Sequence, residues 1–112
     1  MSKIHGDVPY GTLDLMILKT LQARGALHGF GLAREIERVS HDLISLNQGS
    51  IYPALMRLQQ RGLIKAQWGA SESNRRAKFY ALSAAGKKHL RVETETWERT
   101  AMIVERFLAL DS

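Results

Sequence analysis

The sequence predicts a mainly α-helical fold with a small β-hairpin, and the changing spacing of its apolar residues is the main observation behind this prediction. Apolar residues recur at helical spacing in three segments before residue 62. Between residues 63 and 82 they alternate with polar residues, and helical spacing then returns up to residue 110. A chain of 112 residues has material for one core. We therefore expect one folded unit, residues 1–83, followed by a long helix within residues 84–112.

The first two helices are predicted from apolar faces that end at turn residues. Thr12 is the predicted N-cap of the first helix, and Gly25 is its predicted end. A second amphipathic segment, residues 29–40, carries apolar residues on one side and charged residues on the other. Only the three residues 26–28 separate the two segments, so we expect the helices to be joined by a short link.

The third helix has the clearest start and end signals. Asn47 is the predicted N-cap, and Leu46 and Ile51 stand where a hydrophobic staple forms around such a cap. Pro53 removes one backbone donor, which is tolerable because it falls close to the start of the helix. Gly62 is the predicted C′ residue, which most often takes the left-handed conformation.

A β-hairpin is predicted between residues 63 and 82. Ile64 and Trp68 fall on one face of the first strand, so we expect Trp68 in the core. Tyr80 takes the equivalent position on the second strand. The connection, Gly69 to Arg76, is polar and rich in residues that turn easily, which predicts a long exposed loop between the paired strands.

The last helix is predicted to begin after Ser83, which can cap it, and to run to about Leu110. At about 1.5 Å per residue such a helix spans about 40 Å, more than a domain of this size can cover. Its apolar residues repeat with spacings of three and four, which is typical of a coiled-coil seam. Exposed on a monomer this stripe would favour aggregation, so we expect a homodimer. The predicted dimer contacts are Leu90, Thr94, Trp97, Ala101, Val104 and Leu108.

The formal net charge of +5 is unevenly distributed. Residues 1–56 are neutral overall, and residues 92–112 are acidic. Residues 57–91 carry a single acid, Glu72, against a large set of basic residues. A basic block of this kind suits a polyanion-binding face, although a solvated charged face would give the same composition. The basic residues are Arg57, Arg61, Lys65, Arg75, Arg76, Lys78, Lys87, Lys88 and Arg91.

The predicted order of elements is that of a winged helix-turn-helix. In this arrangement the third helix enters the major groove of double-stranded DNA, and the hairpin, called the wing, reaches over the adjacent backbone. Ile51, Leu55 and Leu58 are predicted to point inward, which leaves the other side of the third helix for DNA. The predicted DNA-binding residues are Gln48, Gly49, Ser50, Tyr52, Pro53 and Arg57 on the helix, and Arg75, Arg76 and Lys78 in the wing.

These predicted contacts differ in chemistry. Small residues at the helix start let backbone amides approach a phosphate, whereas Gln48 and Arg57 carry fork-like donors that can read base edges. Tyr52 suits either a DNA contact or half-buried packing. The wing cations suit a phosphate track or a narrow minor groove, and the alternative for them is a solvated loop.

Several other classes of function are not supported by the sequence. The chain has no cysteine, and its four histidines show no spacing typical of a metal site, so we expect no metal and no cofactor. We find no phosphate-binding glycine loop and no nucleophile motif, and we expect no enzyme. No apolar run approaches the roughly twenty residues of a membrane span, and the first ten residues lack the apolar stretch of a signal peptide. We therefore expect a cytoplasmic protein.

Several short motifs occur in this order along the chain: GTLDL at 11–15, HGFG at 28–31, QGSIYPAL at 48–55, RL at 57–58, RG at 61–62, WG at 68–69 and NRRAKFY at 74–80. Together they resemble the PadR family of transcriptional regulators. The resemblance covers about residues 10–92 and implies a winged-helix repressor that dimerises through its C-terminal helix and in some members leaves DNA when a small molecule binds. The chain resembles the short subgroup with one C-terminal helix.

Trp97 resembles in position the tryptophan with which multidrug-binding members of that family stack planar aromatic compounds across the dimer interface. The alternative is a side chain that only fills the dimer seam. The sequence thus predicts a homodimeric repressor of an inverted-repeat operator, with a small aromatic effector as a further hypothesis. A winged-helix module that binds proteins without reading DNA sequence is the alternative from another class.

Overall fold

The computed structural model describes residues 4–5 and 11–111, and it confirms a mainly helical fold with a small sheet. Strands β2, β5 and β4 form an antiparallel sheet in that order, and β1 pairs with β3 in parallel. Within the described residues, no helix combines the length and apolar character that a membrane crossing requires. The elements are β1 (Ile4–His5), α1 (Thr12–Arg24), β2 (Leu27–His28), α2 (Gly29–Val39), β3 (Ile44–Ser45), α3 (Gln48–Gln60), β4 (Ile64–Ala70), β5 (Arg76–Leu82) and α4 (Ala84–Leu108).

The helix ends follow the capping residues of the sequence, with one exception. The side chain of Asn47 accepts a hydrogen bond from the backbone N–H of Ser50, as predicted. Gly62 follows α3 with a φ of 74°, the left-handed conformation expected there. The prediction for Thr12 is wrong, because Gly11 is the N-cap of α1 and Thr12 is already helical. Gly11 takes a left-handed φ of 82° and has no side chain that could accept a capping hydrogen bond.

One hydrophobic core joins the helices to the base of the sheet. Ile17, Leu32, Leu55 and Leu58 are fully buried, and Tyr80 closes the core on the sheet side. Such burial is the main favourable term in folding and fixes the orientation of α3 against α1 and α2. It therefore decides which side of α3 faces outward.

An ion-pair cluster on the surface joins α1 to α2. The Glu35 carboxylate accepts hydrogen bonds from Arg38, one turn further along α2, and from Arg24 at the end of α1. The hydrogen bond from Arg38 is the largest cause of a pKa of Glu35 below its usual value, although desolvation opposes it. The cluster therefore holds the end of α1 against α2 while Glu35 is ionised.

The hairpin is longer and its loop shorter than predicted. The strands pair from Ile64 opposite Leu82 to Ala70 opposite Arg76. The backbone N–H of Ser71 donates to the carbonyl of Arg75, and Asn74 takes a left-handed φ of 60°. This arrangement is the common three-residue hairpin turn, which needs one residue that tolerates the left-handed region. The prediction of a long loop from Gly69 to Arg76 is wrong, because both strands continue into it.

The long last helix is confirmed, and it ends at Leu108 rather than near Leu110. Ser83 caps α4 by accepting a hydrogen bond from the backbone N–H of Gly86. Leu90 is 2% exposed and belongs to the chain's own core, so its prediction as a dimer contact is wrong. The reason is that the first half of α4 packs against α1 and β5, with Gly86 and Leu90 buried there.

Candidate DNA-binding surface

The buried side of α3 defines its outward side. Ile51, Ala54, Leu55 and Leu58 are all nearly inaccessible to solvent. At about 100° per residue, these four positions lie on one half of the helix, which leaves a line of four residues pointing directly away from the core. That outward line consists of Gly49, Pro53, Met56 and Gln60.

Most of the predicted contact residues on α3 are exposed, as a contact with DNA requires. Gln48, Gly49 and Pro53 lie on the surface at the start of the helix. Ser50 is half-buried, and its hydroxyl donates to the Asn47 carboxamide oxygen at 3.2 Å. Because the backbone N–H of Ser50 also donates the N-cap hydrogen bond to Asn47, Ser50 supports the cap, and the exposed backbone beside it belongs to Gln48 and Gly49.

Tyr52 lies on the side of α3 that faces the wing, and it combines packing with exposure. Its ring lies against Gly29 at the start of α2, where an added Cβ atom would be 2.7 Å from the Tyr52 hydroxyl oxygen. The side chain is nevertheless 40% exposed. Gly29 therefore makes room for the tyrosine, which is held in place on one side and open to solvent on the other.

Arg57 lies on the opposite flank of α3 and already has a partner. Its Nη2 atom donates to Oδ1 of Asp14 on α1 at 2.7 Å. This pair is partly exposed, with the arginine side chain at 49%. The guanidinium fork that the sequence suggested for reading bases is thus directed toward α1, away from the outward line of α3.

The wing carries its cations over aromatic rings. The guanidinium of Arg76 lies 4.8 Å from the centre of the Trp68 ring, and the Lys78 ammonium lies 6.0 Å from the Tyr80 ring. Such contacts hold the cations in place without neutralising their charge. Arg75, in the turn, is exposed. The three predicted wing residues therefore surround one end of the hairpin.

Trp68 is 56% exposed, so the prediction that it is a core residue is wrong. Its face was correctly assigned, because Trp68 pairs with Lys78 on the same face of the hairpin that buries Ile64 and Tyr80. The hairpin extends past the edge of the core, so the same face becomes solvent-exposed toward its tip.

The outer end of this face and α3 enclose a groove of about 900 Å³. Tyr80 lies at its base, and burial, more than the nearby Tyr52, raises the pKa of its hydroxyl. The groove combines cations with large apolar side chains, most of them well exposed. Among its lining residues are Phe30, Tyr52, Met56, Trp68, Arg76 and Lys78.

Sequence reasoning missed several members of this surface, among them Phe30, Met56 and Gln59. Phe30 is 62% exposed at the start of α2, between the His28 ring and the Arg34 guanidinium. Placing every residue of α3 on a helical projection would have identified Met56, because it lies opposite the buried side. No pattern in the sequence indicates that Phe30 borders the same groove, because this depends on how α2 crosses α3.

The exposed stripe of α4 lies outside this groove. Trp97 is 54% exposed, Val104 47% and Leu108 80%, whereas Thr94 and Ala101 are half-buried. Trp97 borders a small depression of about 140 Å³ beside the start of α1. Within the part of the chain that the structure describes, no group of three or more metal-ligating side chains occurs.

Comparison with known proteins agrees with this fold. The chain is similar to a transcriptional regulator from Clostridium thermocellum, with 28% identity, a TM-score of 0.77, and coverage of 87% of this chain and 93% of the other. It is similar to a PadR-like transcriptional regulator from Bacillus cereus, with 25% identity, a TM-score of 0.77, and coverage of 90% and 95%.

A third structure is Bacillus subtilis PadR in complex with operator DNA, with 26% identity and a TM-score of 0.63. There the similarity covers 73% of this chain and 47% of the other. Residues 17–92 match the family described as "Transcriptional regulator PadR-like family". This match includes α3, the wing and the first turns of α4, and the chain belongs to the PadR-like family of transcriptional regulators.

Proposed function

We propose that the protein is a homodimeric repressor that binds an inverted-repeat operator, with α3 in the major groove and the wing on the adjacent backbone. The observation that carries this proposal is that Tyr52, Met56 and Gln59 of α3 line the same groove as the three wing cations. An α-helix fits the major groove, and cations at its edge lie where the phosphates run. The similar Bacillus subtilis PadR has been solved in complex with operator DNA, which supports DNA as the ligand of this chain.

The homodimer is proposed from the second half of α4. Beyond Trp97 the helix presents exposed apolar residues, including Val104, Phe107 and Leu108, that the described part of the chain does not cover. A second copy of the same stripe would bury these residues and place two α3 helices about a twofold axis. In this proposal the unit up to Ser83 reads DNA and α4 sets the distance between two half-sites, about 34 Å apart.

In this proposal the protein represses transcription by occupying the operator. A dimer that covers two successive major grooves prevents other proteins from using the same stretch of promoter. Transcription in vitro from a promoter containing the operator should fall as the protein is added, whereas transcription from the same promoter with a scrambled operator should not. Equal transcription from both templates would contradict repression.

DNA binding itself is tested with an operator fragment and a scrambled fragment at several salt concentrations. We expect tighter binding to the operator, and for both fragments a fall in affinity as salt increases, because phosphate contacts release counterions. Sedimentation of the free protein should give twice the chain mass. Equal affinity for all DNA, together with a specific protein ligand, would instead favour a winged-helix module that binds proteins.

A small aromatic effector is the most specific part of the proposal and rests on Trp97. In a twofold dimer each Trp97 acquires a symmetry-related copy, between which a flat hydrophobic cation can stack. The chain has one other tryptophan, Trp68, so the Trp68→Phe variant makes Trp97 the single fluorescent reporter. Quenching by a planar aromatic dye that also releases DNA would support the effector, and unchanged fluorescence would show that Trp97 only packs the seam.

A further inference from the structure

The outward line of α3 is unusually apolar for a surface proposed to contact DNA. Met56 is 61% exposed, and it lies with Gly49 and Pro53 on the line directly opposite the buried side. The side chain of a methionine is long, flexible and without a hydrogen-bond donor. Any contact that Met56 makes with a base in the major groove is therefore an apolar contact.

The basic residues on α3 and directly after it are not placed to replace Met56 in this position. Arg57 is the only basic residue within Gln48–Gln60, and its guanidinium is bound by Asp14 on the α1 side. Arg61, just after the helix, has its Nη2 atom 3.4 Å from Nε2 of His89 on α4. The commonest reader of guanine is an arginine or lysine that approaches O6 and N7. The outward line of α3 has no such group.

Two amide side chains lie one helical turn after Met56. Gln60 continues the outward line, and Gln59 lies beside it on the wing side. A glutamine carboxamide matches N6 and N7 of adenine, while the partner thymine presents the only methyl group of the major groove. An apolar side chain with carboxamides one turn away is therefore complementary to an A·T pair.

We propose that Met56 determines specificity by contacting the C5-methyl group of a thymine in each half-site, beside an adenine recognised by glutamine. This inference rests on the proposed function, since it requires α3 in the major groove. It adds that the central base pair under α3 is read by apolar contact and by amides rather than by a guanidinium.

The test removes the methyl group from the DNA. Operator sequences are first selected from a pool of random duplexes, and each thymine of the selected half-site is then replaced in turn by deoxyuridine. At one position the replacement should weaken binding of the wild-type protein about fourfold for each half-site, the equivalent of one buried methyl group. The Met56→Ala variant should bind thymine and uracil operators equally.

The matched control is Met56→Leu, which keeps an apolar side chain of similar volume and should retain sensitivity to the methyl group. Because Met56 is on the surface, these variants are expected to fold, and circular dichroism checks this. The inference is overturned if wild type is insensitive at every thymine, or if Met56→Ala keeps full sensitivity. Selection that yields no preferred sequence is a separate result, because it overturns the proposed function and this inference with it.

Discussion

Gly86 at the start of α4 lies against the carbonyl oxygen of Leu63, at the junction of α3 and β4. An added Cβ atom on Gly86 would be 1.9 Å from this oxygen, far inside van der Waals contact. Ser83 strengthens the junction, since its hydroxyl donates to the Gly62 carbonyl at 2.7 Å and its backbone N–H donates to the Leu63 carbonyl at 3.1 Å. The end of the proposed DNA-reading helix is therefore joined directly to the start of the proposed dimer helix.

The Gly86→Ala variant should be strongly destabilised. Alanine is favoured over glycine inside a helix by about 1 kcal/mol, but here the backbone of Leu63 cannot move aside without shifting α4. We expect a net loss of about 2–3 kcal/mol in the free energy of unfolding, as is typical of overpacking. Urea unfolding followed by circular dichroism measures it.

Gly69→Ala is the matched control for this prediction. A Cβ atom at Gly69 would be 3.7 Å from the Phe79 ring, an ordinary contact. This variant should unfold within about 1 kcal/mol of wild type, because alanine mainly restricts the unfolded chain. Equal stability of both variants would show that α4 is not closely joined to Leu63.

The wing cations should contribute affinity without sequence preference. Arg75→Ala should weaken binding to operator and to unrelated DNA by similar factors. It should also make the fall of log K with log salt shallower, reducing the magnitude of the slope by about 1. Arg76→Ala should do the same and also remove the cation–π contact with Trp68. Binding isotherms at several salt concentrations measure both effects.

Lys19→Ala removes an equal charge from the exposed surface of α1, beside α4 and away from the groove. It should leave the salt slope unchanged. If a protein lacking both Arg75 and Arg76 gives a normal gel shift, the wing does not contact DNA.

The stripe on α4 should be sensitive to charge. Val104→Glu places a carboxylate in the proposed seam, whereas the same side chain is 47% exposed in the single chain and is not needed for its core. We expect folded monomers and a loss of operator affinity of about a hundredfold or more, because the two half-sites no longer bind as one unit. Sedimentation and circular dichroism separate dissociation from unfolding.

The control is Arg106→Glu, which adds negative charge to the same helix at a position on its charged side. This variant should remain dimeric. A Val104→Glu protein that keeps its mass and its operator affinity would show that the dimer, if there is one, forms elsewhere.

Local signals in the sequence predicted the framework of the fold well. Asn47, Gly62 and Ser83 each mark an element boundary through chemistry that acts within a few residues, and all three are observed in these roles. The inward face of α3 was also predicted, since Ile51 and Leu55 repeat at helical spacing. Such features require no knowledge of the tertiary structure.

The errors concern burial, which depends on where each element stops packing. Trp68 was assigned to the correct face of the hairpin, but that face leaves the core before reaching it. Leu90 falls in the stripe of α4, yet the helix is still covered by its own chain at that point. The role of Arg57 depended on Asp14, a partner 43 residues earlier. None of these relationships is visible as spacing along the chain.

The pair between Arg57 and Asp14 leads to a final prediction. Arg57 lies on a flank of α3, where the phosphate backbone would pass, but its charge is partly neutralised by Asp14. Asp14→Asn should release it at a cost of about 1 kcal/mol or less in stability, since the pair is partly exposed. We expect the salt slope of DNA binding to increase by up to about 0.9 and the base preference to stay unchanged. Adding Arg57→Gln to this variant should remove the increase, whereas Asp42→Asn, which changes the same charge in the exposed turn after α2, should have no effect. An unchanged slope in Asp14→Asn would mean that Arg57 does not reach the DNA and serves only to hold α3 against α1.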